Sequence, residues 1–123
     1  MSSYETASLS EIERRVLNGF VEAAKRELGD RLQSIWLYGS RARGEPPGED
    51  SDIDLLVIAE GNWFKNLRRM TRGLWAVAER EGGDPTYWSV MVHDPEWLRG
   101  RRNIESFFIQ EVDRDKIVLA GEP

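Results

Sequence analysis

The residues of this 123-residue chain best suited to chemistry are Gly39-Ser40-Arg41-Ala42-Arg43-Gly44 and, eight positions further on, Asp52-Ile53-Asp54. Gly39 lets the backbone come close to a ligand, and Ser40 can donate both an amide N–H and a hydroxyl to a phosphate oxygen. If Ser40 opens a short helical turn through Arg43, the amides and partial positive charge at its start favour the same anion. Gly44 then closes the turn. Arg41 and Arg43 flank it, and one of the two is expected to point at a polyphosphate while the other stays in solvent. For a lone Gly-Ser pair, an ordinary strand-to-helix turn is the better reading.

Asp52 and Asp54 give the pair its weight, because they stand directly ahead of the apolar run Leu55-Leu56-Val57-Ile58-Ala59. On a strand, positions i and i+2 project to one face with alpha carbons roughly 6.6 Å apart at about 3.3 Å per residue, and Ile53 and Leu55 then face the core. Two anions side by side repel each other, and sheet stability alone would more easily supply Thr or Lys. A hard divalent cation accounts for them. Magnesium binds one or two carboxylates plus substrate phosphates and waters. In two-metal sites, ions about 3.5–4 Å apart stabilise the attacking and leaving oxygens of an in-line displacement. The competing reading is a strand start that happens to be acidic, since Glu49, Asp50 and Ser51 before it are polar as well.

The elements that must position these residues follow from periodicity. Leu9, Ile12, Val16, Leu17, Phe20, Val21, Ala24 and Leu28 recur at helical spacing, with Ser8 and Glu11 at capping-box spacing and Gly29 as a stop. A first strand is expected at 33–38, ending at Gly39, and a second at 53–59 after a loop rich in Pro and Gly. A long helix runs over 63–81 until Gly82-Gly83, and a third strand over 86–93. Asp94-Pro95-Glu96 starts a helical turn with Asp94 as cap. A short helix around 104–110 leads to a last strand near 116–119. Alternating helices and strands imply an α/β fold of two layers, a mixed sheet packed by helices.

Gly39-Ser40, Arg41-Ala42-Arg43-Gly44 and Ser51-Asp52-Ile53-Asp54-Leu55 together resemble the signature of the minimal nucleotidyltransferases, the smallest members of the DNA polymerase beta-like superfamily. The resemblance covers Ile35 to Ile58 closely, with one extra residue in the loop between Ser40 and Asp52. It implies the nucleotidyltransferase fold. It also implies transfer of a nucleoside monophosphate from a magnesium-bound nucleoside triphosphate such as ATP to an acceptor hydroxyl, with manganese as an alternative metal. Asp52 and Asp54 would hold two metals, Gly39 and Ser40 the beta and gamma phosphates, and Arg41 or Arg43 would offset charge on the leaving pyrophosphate. In some members the acceptor is a partner toxin of the HEPN type in a toxin–antitoxin pair. Family members usually carry a third carboxylate on a later strand, and here Trp88-Ser89-Val90-Met91-Val92-His93 puts Ser89 at that place. Asp84 and Asp94 have the opposite parity to Ser89 and would face away. A serine hydroxyl is uncharged and a poor base. The rival to an enzyme is therefore an antitoxin-like subunit that binds nucleotide or partner with little turnover.

Composition narrows the rest. The chain reads as a single domain over 1–123, with no room for a separate substrate domain. It carries 17 Lys and Arg against 22 Asp and Glu, a net charge of −5, so direct nucleic-acid binding is not expected unless a local basic patch exists. There is no cysteine, hence no disulfide or thiolate metal site, which is compatible with a cytoplasmic setting. No run is long enough for a membrane span. A homo-oligomer is allowed. His93 reads as a strand-end surface residue, the five tryptophans as core or interface anchors, and Arg68, Arg69 and Arg72 as a solvated helix face.

Overall fold

The computed structural model describes residues 3–48 and 52–123; Met1, Ser2, Glu49, Asp50 and Ser51, the last part of the recognised signature, lie outside them. Helix α1 (Glu11–Leu28) begins at Ser10, whose side chain accepts from the Glu13 amide while the Glu13 carboxylate accepts from the Ser10 amide. The cap expected at Ser8 thus sits two residues later. Ser8 is occupied elsewhere: its amide donates to the Arg41 carbonyl at 2.8 Å, and its own carbonyl accepts from the Arg41 guanidinium. The face of α1 given by Val16, Leu17, Phe20, Ala24 and Leu28 is buried, and Gly29 ends the helix with a positive φ.

Strand β1 (Leu32–Tyr38) pairs antiparallel with β2 (Ile53–Ala59). Helix α2 (Trp63–Glu81) is capped by Asn62 and stopped by left-handed Gly82. Strand β3 (Trp88–His93) follows a 3-10 turn at Pro85–Tyr87, and it pairs parallel to β2. A parallel neighbour needs a crossover, and α2 supplies it. The Asp94-Pro95 start continues as a nine-residue helix, α3 (Pro95–Asn103), and the helix expected around 104–110 runs instead as α4 (Phe107–Asp115). The dividing point is Ile104-Glu105, where Glu105 takes a positive φ of 53°. Strand β4 (Ile117–Gly121) then pairs antiparallel with β1, giving the mixed order β3-β2-β1-β4.

Strand alternation sorts the core in two. Ile35, Leu37, Ile53, Leu55 and Val57 pack under α1 and α2, whereas Trp36, Leu56 and Ile58 face the other way and are covered by Leu98 of α3 and Ile109 and Val112 of α4. The second face is covered only in part. Asp54 and Ser89 share its parity, so the acidic end of the sheet opens on the side where α4 stands.

Candidate active site

Tyr38, the last residue of β1, lies opposite Asp54 in the antiparallel register, so the turn leaving β1 and the start of β2 meet at one end of the sheet. They open on a cleft of about 340 Å³. Tyr38, Gly39, Ser40 and Arg43 line one side of it, Asp54 its base, and Phe108, Glu111 and Val112 of α4 the other side.

Gly39 adopts φ +82°, and a Cβ built there would lie 2.6 Å from Asp54 Oδ2. A side chain at this position would therefore be both strained and in the way of the carboxylate, which is a stronger demand for glycine than ligand approach alone. Beyond it the Arg43 amide donates to the Gly39 carbonyl at 3.2 Å and the Glu45 amide to the Ser40 carbonyl at 3.1 Å. The segment is a single hydrogen-bonded turn and not a helix, so the macrodipole argument does not apply here and the local donors of Ser40 carry the anion-binding reading. Gly44 also has a positive φ, and a Cβ there would meet the Thr6 carbonyl oxygen at 2.6 Å. It seats the turn on the N-terminal segment.

The two arginines of the turn part company. Arg41 is 6% exposed, and its guanidinium donates to the Ser8 carbonyl at 2.8 Å and to both oxygens of Glu13 at 2.9 and 3.1 Å. This corrects the expectation that Arg41 either contacts a polyphosphate or stays in solvent. A guanidinium taken out of water must be paired, and Glu13 pairs it bidentately beneath the turn. Burial alone would raise the Glu13 pKa, but the bonds from Arg41 and Ser10 hold it below its ordinary value. Arg43, by contrast, borders the cleft and is held at its rim by Glu45 and by Asp115, at 3.3 Å to Asp115 Oδ2.

Asp54 is half-buried, and its pKa is pushed up to about 6, first by burial and then by the charge of Asp52. Asp52 stands exposed at the strand entrance. Among the described residues neither carboxylate has an ion pair with a basic side chain. The Tyr38 hydroxyl, pushed up to about 12 by burial and then by Asp54, stays protonated and lies 3.4 Å from the Met91 sulfur as a donor. Its ring meets Phe108 edge to face at 5.6 Å.

Ser89 is the parallel-register partner of Asp54, which sets it beside Asp54 on the same face of the sheet. Asp84 accepts from the Thr86 amide and hydroxyl as the cap of a 3-10 turn, and Asp94 accepts from the Trp97 amide as the cap of α3. Both are committed to backbone ends. Among the described residues no group of three or more His, Cys, Asp or Glu side chains is placed to hold a metal ion.

Sequence spacing did not find Phe108, Glu111 or Val112. It gave a helix near them, but contact between that helix and the far end of β1 is made only in three dimensions. His93, expected at the surface, is instead stacked on Trp97 at 3.7 Å and 7° and, more loosely, on Trp63 at 6.1 Å. It lies at the C-terminal end of β3, away from Ser89. The tryptophans divide: Trp36 and Trp88 are core, while Trp63 and Trp75 are about half exposed.

The model of the nucleotidyltransferase domain family matches residues 17–79, about half of the chain, and this span holds the turn and both aspartates. Two relatives from Methanocaldococcus jannaschii align with it. "Putative protein adenylyltransferase MJ1305" is 51% identical over 59 residues, which cover 46% of this chain and 36% of the relative. "Putative protein adenylyltransferase MJ0604" is 40% identical over 48 residues, 39% of this chain and 47% of the relative. The alignments therefore span less than half the length of either relative. Among solved structures, a chain of a mutant toxin–antitoxin MntA-HpeT is similar with a TM-score of 0.50 at 20% identity, covering 83% of this chain and 71% of that one. A chain of a toxin–antitoxin with AMP-PNP is similar with a TM-score of 0.51 at 23% identity, covering 84% and 72%. At this identity the likeness is one of fold. No helix among the described residues is long and apolar enough to cross a membrane.

Proposed function

Because the chain belongs to the nucleotidyltransferase domain family, we propose that it transfers a nucleoside monophosphate from a nucleoside triphosphate to an acceptor hydroxyl. The observation that carries this is the meeting, at one end of the sheet, of the Gly39-Ser40 turn, Arg43 and the carboxylate of Asp54, with Asp52 exposed just ahead of the strand. The donor set fits magnesium, or manganese in its place: two nearby carboxylates without basic partners among the described residues, Asp54 being raised by burial and then by the charge of Asp52. When bound, the metal supplies charge neutralisation at the triphosphate and at the attacking oxygen.

The protein's own part is positioning. Ser40 donates to a non-bridging phosphate oxygen, Gly39 keeps the backbone out of its path, and Arg43 offsets charge on the leaving pyrophosphate. Tyr38 and Phe108 offer the nucleoside an aromatic wall. The acceptor oxygen forms its bond to the alpha phosphorus as the bond to the bridging oxygen breaks, and pyrophosphate leaves. Ser89 takes no proton, so the acceptor proton passes to solvent and the rate lacks general-base help, typically worth about 10²–10⁴. The acceptor is a hydroxyl on a partner protein, of the HEPN toxin type that the resemblance implies. The setting is cytoplasmic, with the domain acting as one unit over 1–123.

Ser89 beside Asp54 favours one second reading, a subunit that binds nucleotide and partner with little or no turnover. Calorimetry with ATP in magnesium and then in EDTA tests the shared premise, because metal-free binding of equal strength would mean that Asp52 and Asp54 are not metal ligands. Transfer of label from alpha-labelled ATP to a co-expressed partner separates enzyme from binding subunit.

A further inference from the structure

The net charge of −5 averages over a chain in which one helix face is rich in cations. Along α2, Lys65, Arg68, Arg69, Arg72 and Arg80 are all exposed, and Arg26 of α1 comes alongside. Among the described residues Arg15, Arg41, Arg43, Arg102 and Arg114 each have a carboxylate within ion-pair distance, while Arg14, Arg31, Arg99 and Arg101, scattered elsewhere, do not. Among the described residues Arg26, Lys65, Arg68, Arg69 and Arg72 have none, and their side chains form no hydrogen bond there. Only Arg80 pairs, with its neighbour Glu81. Glu27 at the edge of the larger hollow and Glu79 further along α2 offset only part of this charge, and an anionic partner relieves the rest.

The cations frame two adjoining hollows of about 420 and 190 Å³, which share Arg69 and Arg72. Ala23, Gly73, Ala76 and Val77 line the larger one with Glu27 at its edge, and the helices approach so closely that a Cβ on Gly73 would lie 4.0 Å from that of Ala23. The result is a shallow track and not a pit. From Lys65 to Arg80 it extends about 22 Å at 1.5 Å per residue. Its border is aromatic. Phe64 and Trp75 are 53% and 45% exposed, and with Arg68 and Arg72 they form one stripe at positions 64, 68, 72 and 75, the spacing of a single helix face.

We infer that this face of α2, with Arg26, is a docking surface for single-stranded nucleic acid. A strand presents evenly spaced monoanions to the row of guanidinium groups and flat bases to Phe64 and Trp75. An acidic peptide would satisfy the charges but leave the aromatic border unused, and the Ala and Gly lining has no deep apolar pocket to seat an anchoring side chain. The track lies across the sheet from the cleft, since α1 and α2 cover the Ile53, Leu55 and Val57 face and Asp54 points to the other. The surface therefore stands apart from the transfer site.

Fluorescence anisotropy of the full chain with a labelled single-stranded RNA dodecamer, its DNA counterpart and a labelled oligoglutamate tests the assignment. Neutralising about four phosphates predicts a log–log salt slope near −2.8 and a loss of affinity of about 50-fold from 50 to 200 mM salt. Charge reversal in R69E/R72E is expected to weaken binding more than tenfold and flatten the slope, and W75A to weaken it with the slope unchanged. If R69E/R72E melts early by circular dichroism, R69Q/R72Q replaces it. Tighter RNA than DNA binding assigns a role to the 2′-hydroxyl, and equal binding assigns the surface to backbone and stacking; both support the proposal. It is overturned by absence of binding at 50 mM salt, by full binding of the folded arginine variant, by oligoglutamate binding as tightly as RNA, or by loss of binding in D54N, which would place the strand in the cleft.

Discussion

Replacing Asp54 by Asn removes a charge that the apo protein holds at a cost. The carboxyl titrates near 6 in the folded chain instead of 3.8, because burial and Asp52 both disfavour the anion. A step of that size has a ceiling of about 3 kcal/mol at 1.36 kcal/mol per pH unit. Asp54 is only half-buried, and solvent screening brings the expected value to about 1–2 kcal/mol. The sign follows from linkage: a carboxyl raised in the folded state binds its proton more tightly there, so its favourable contribution is complete below pH 3.8 and is lost as pH rises through about 6. D54N is therefore expected to melt above wild type at pH 7.5 in EDTA, by about 3–10 °C for a domain of this size. At pH 4 the two should nearly coincide. Magnesium should reverse the order at neutral pH by raising wild type alone, and that gain should fade as pH falls through about 6, because proton and metal compete for the same oxygens. Thermal denaturation followed by circular dichroism reads all four conditions. A D54N protein less stable than wild type at pH 7.5 in EDTA, or a difference that does not narrow at pH 4, would refute the claim that Asp54 is a strained, metal-directed carboxylate.

Three further outcomes are expected. Ser89→Asp places a carboxylate in register beside Asp54, so it should lower apo stability, tighten magnesium binding by calorimetry and raise transfer to an acceptor by 10-fold or more; an unchanged metal affinity would mean that position 89 does not face the metals. Ser40→Ala should weaken ATP binding by about 1 kcal/mol, whereas Gly39→Val should abolish it by displacing the Asp54 carboxylate, and normal binding by the valine variant would move the phosphate turn elsewhere. Arg41→Met leaves Glu13 without its partner and should cost about 2–3 kcal/mol in urea denaturation; unaltered stability with much weaker ATP binding would restore Arg41 as a phosphate ligand.

The strands and helices were legible where one periodicity ran unbroken. Strand 53–59 and helix 63–81 match their observed bounds, and Gly29, Gly82 and Asp94 punctuate the chain as their chemistry predicts. Reading failed where a side chain had two uses open to it. The cap expected at Ser8 falls instead to Ser10, while the Ser8 carbonyl accepts from Arg41, thirty-odd residues away. Arg41 and Arg43 look alike in sequence, and only the depth of Glu13 beneath the turn tells them apart. The α4 wall was hidden for the same reason: Phe108 reaches Tyr38 through the packing of Ile109 and Val112 on Trp36, which no local pattern encodes. The place of Ser89 comes from the resemblance, and its pairing with Asp54 emerges only from the parallel register of β2 and β3.

Glu13 holds three things at once: the Ser10 amide at the head of α1, the guanidinium of Arg41, and through it the carbonyl of Ser8. Fraying of the first turn of α1 and loosening of the Gly39–Gly44 turn are then one opening event, a single cooperative unit in the native ensemble. A ligand that steadies the turn must pass part of its free energy back to the start of the helix. Native-state amide exchange would register this as slower exchange at Glu13, Arg14 and Arg43 on addition of magnesium and ATP, with the α2 amides unmoved.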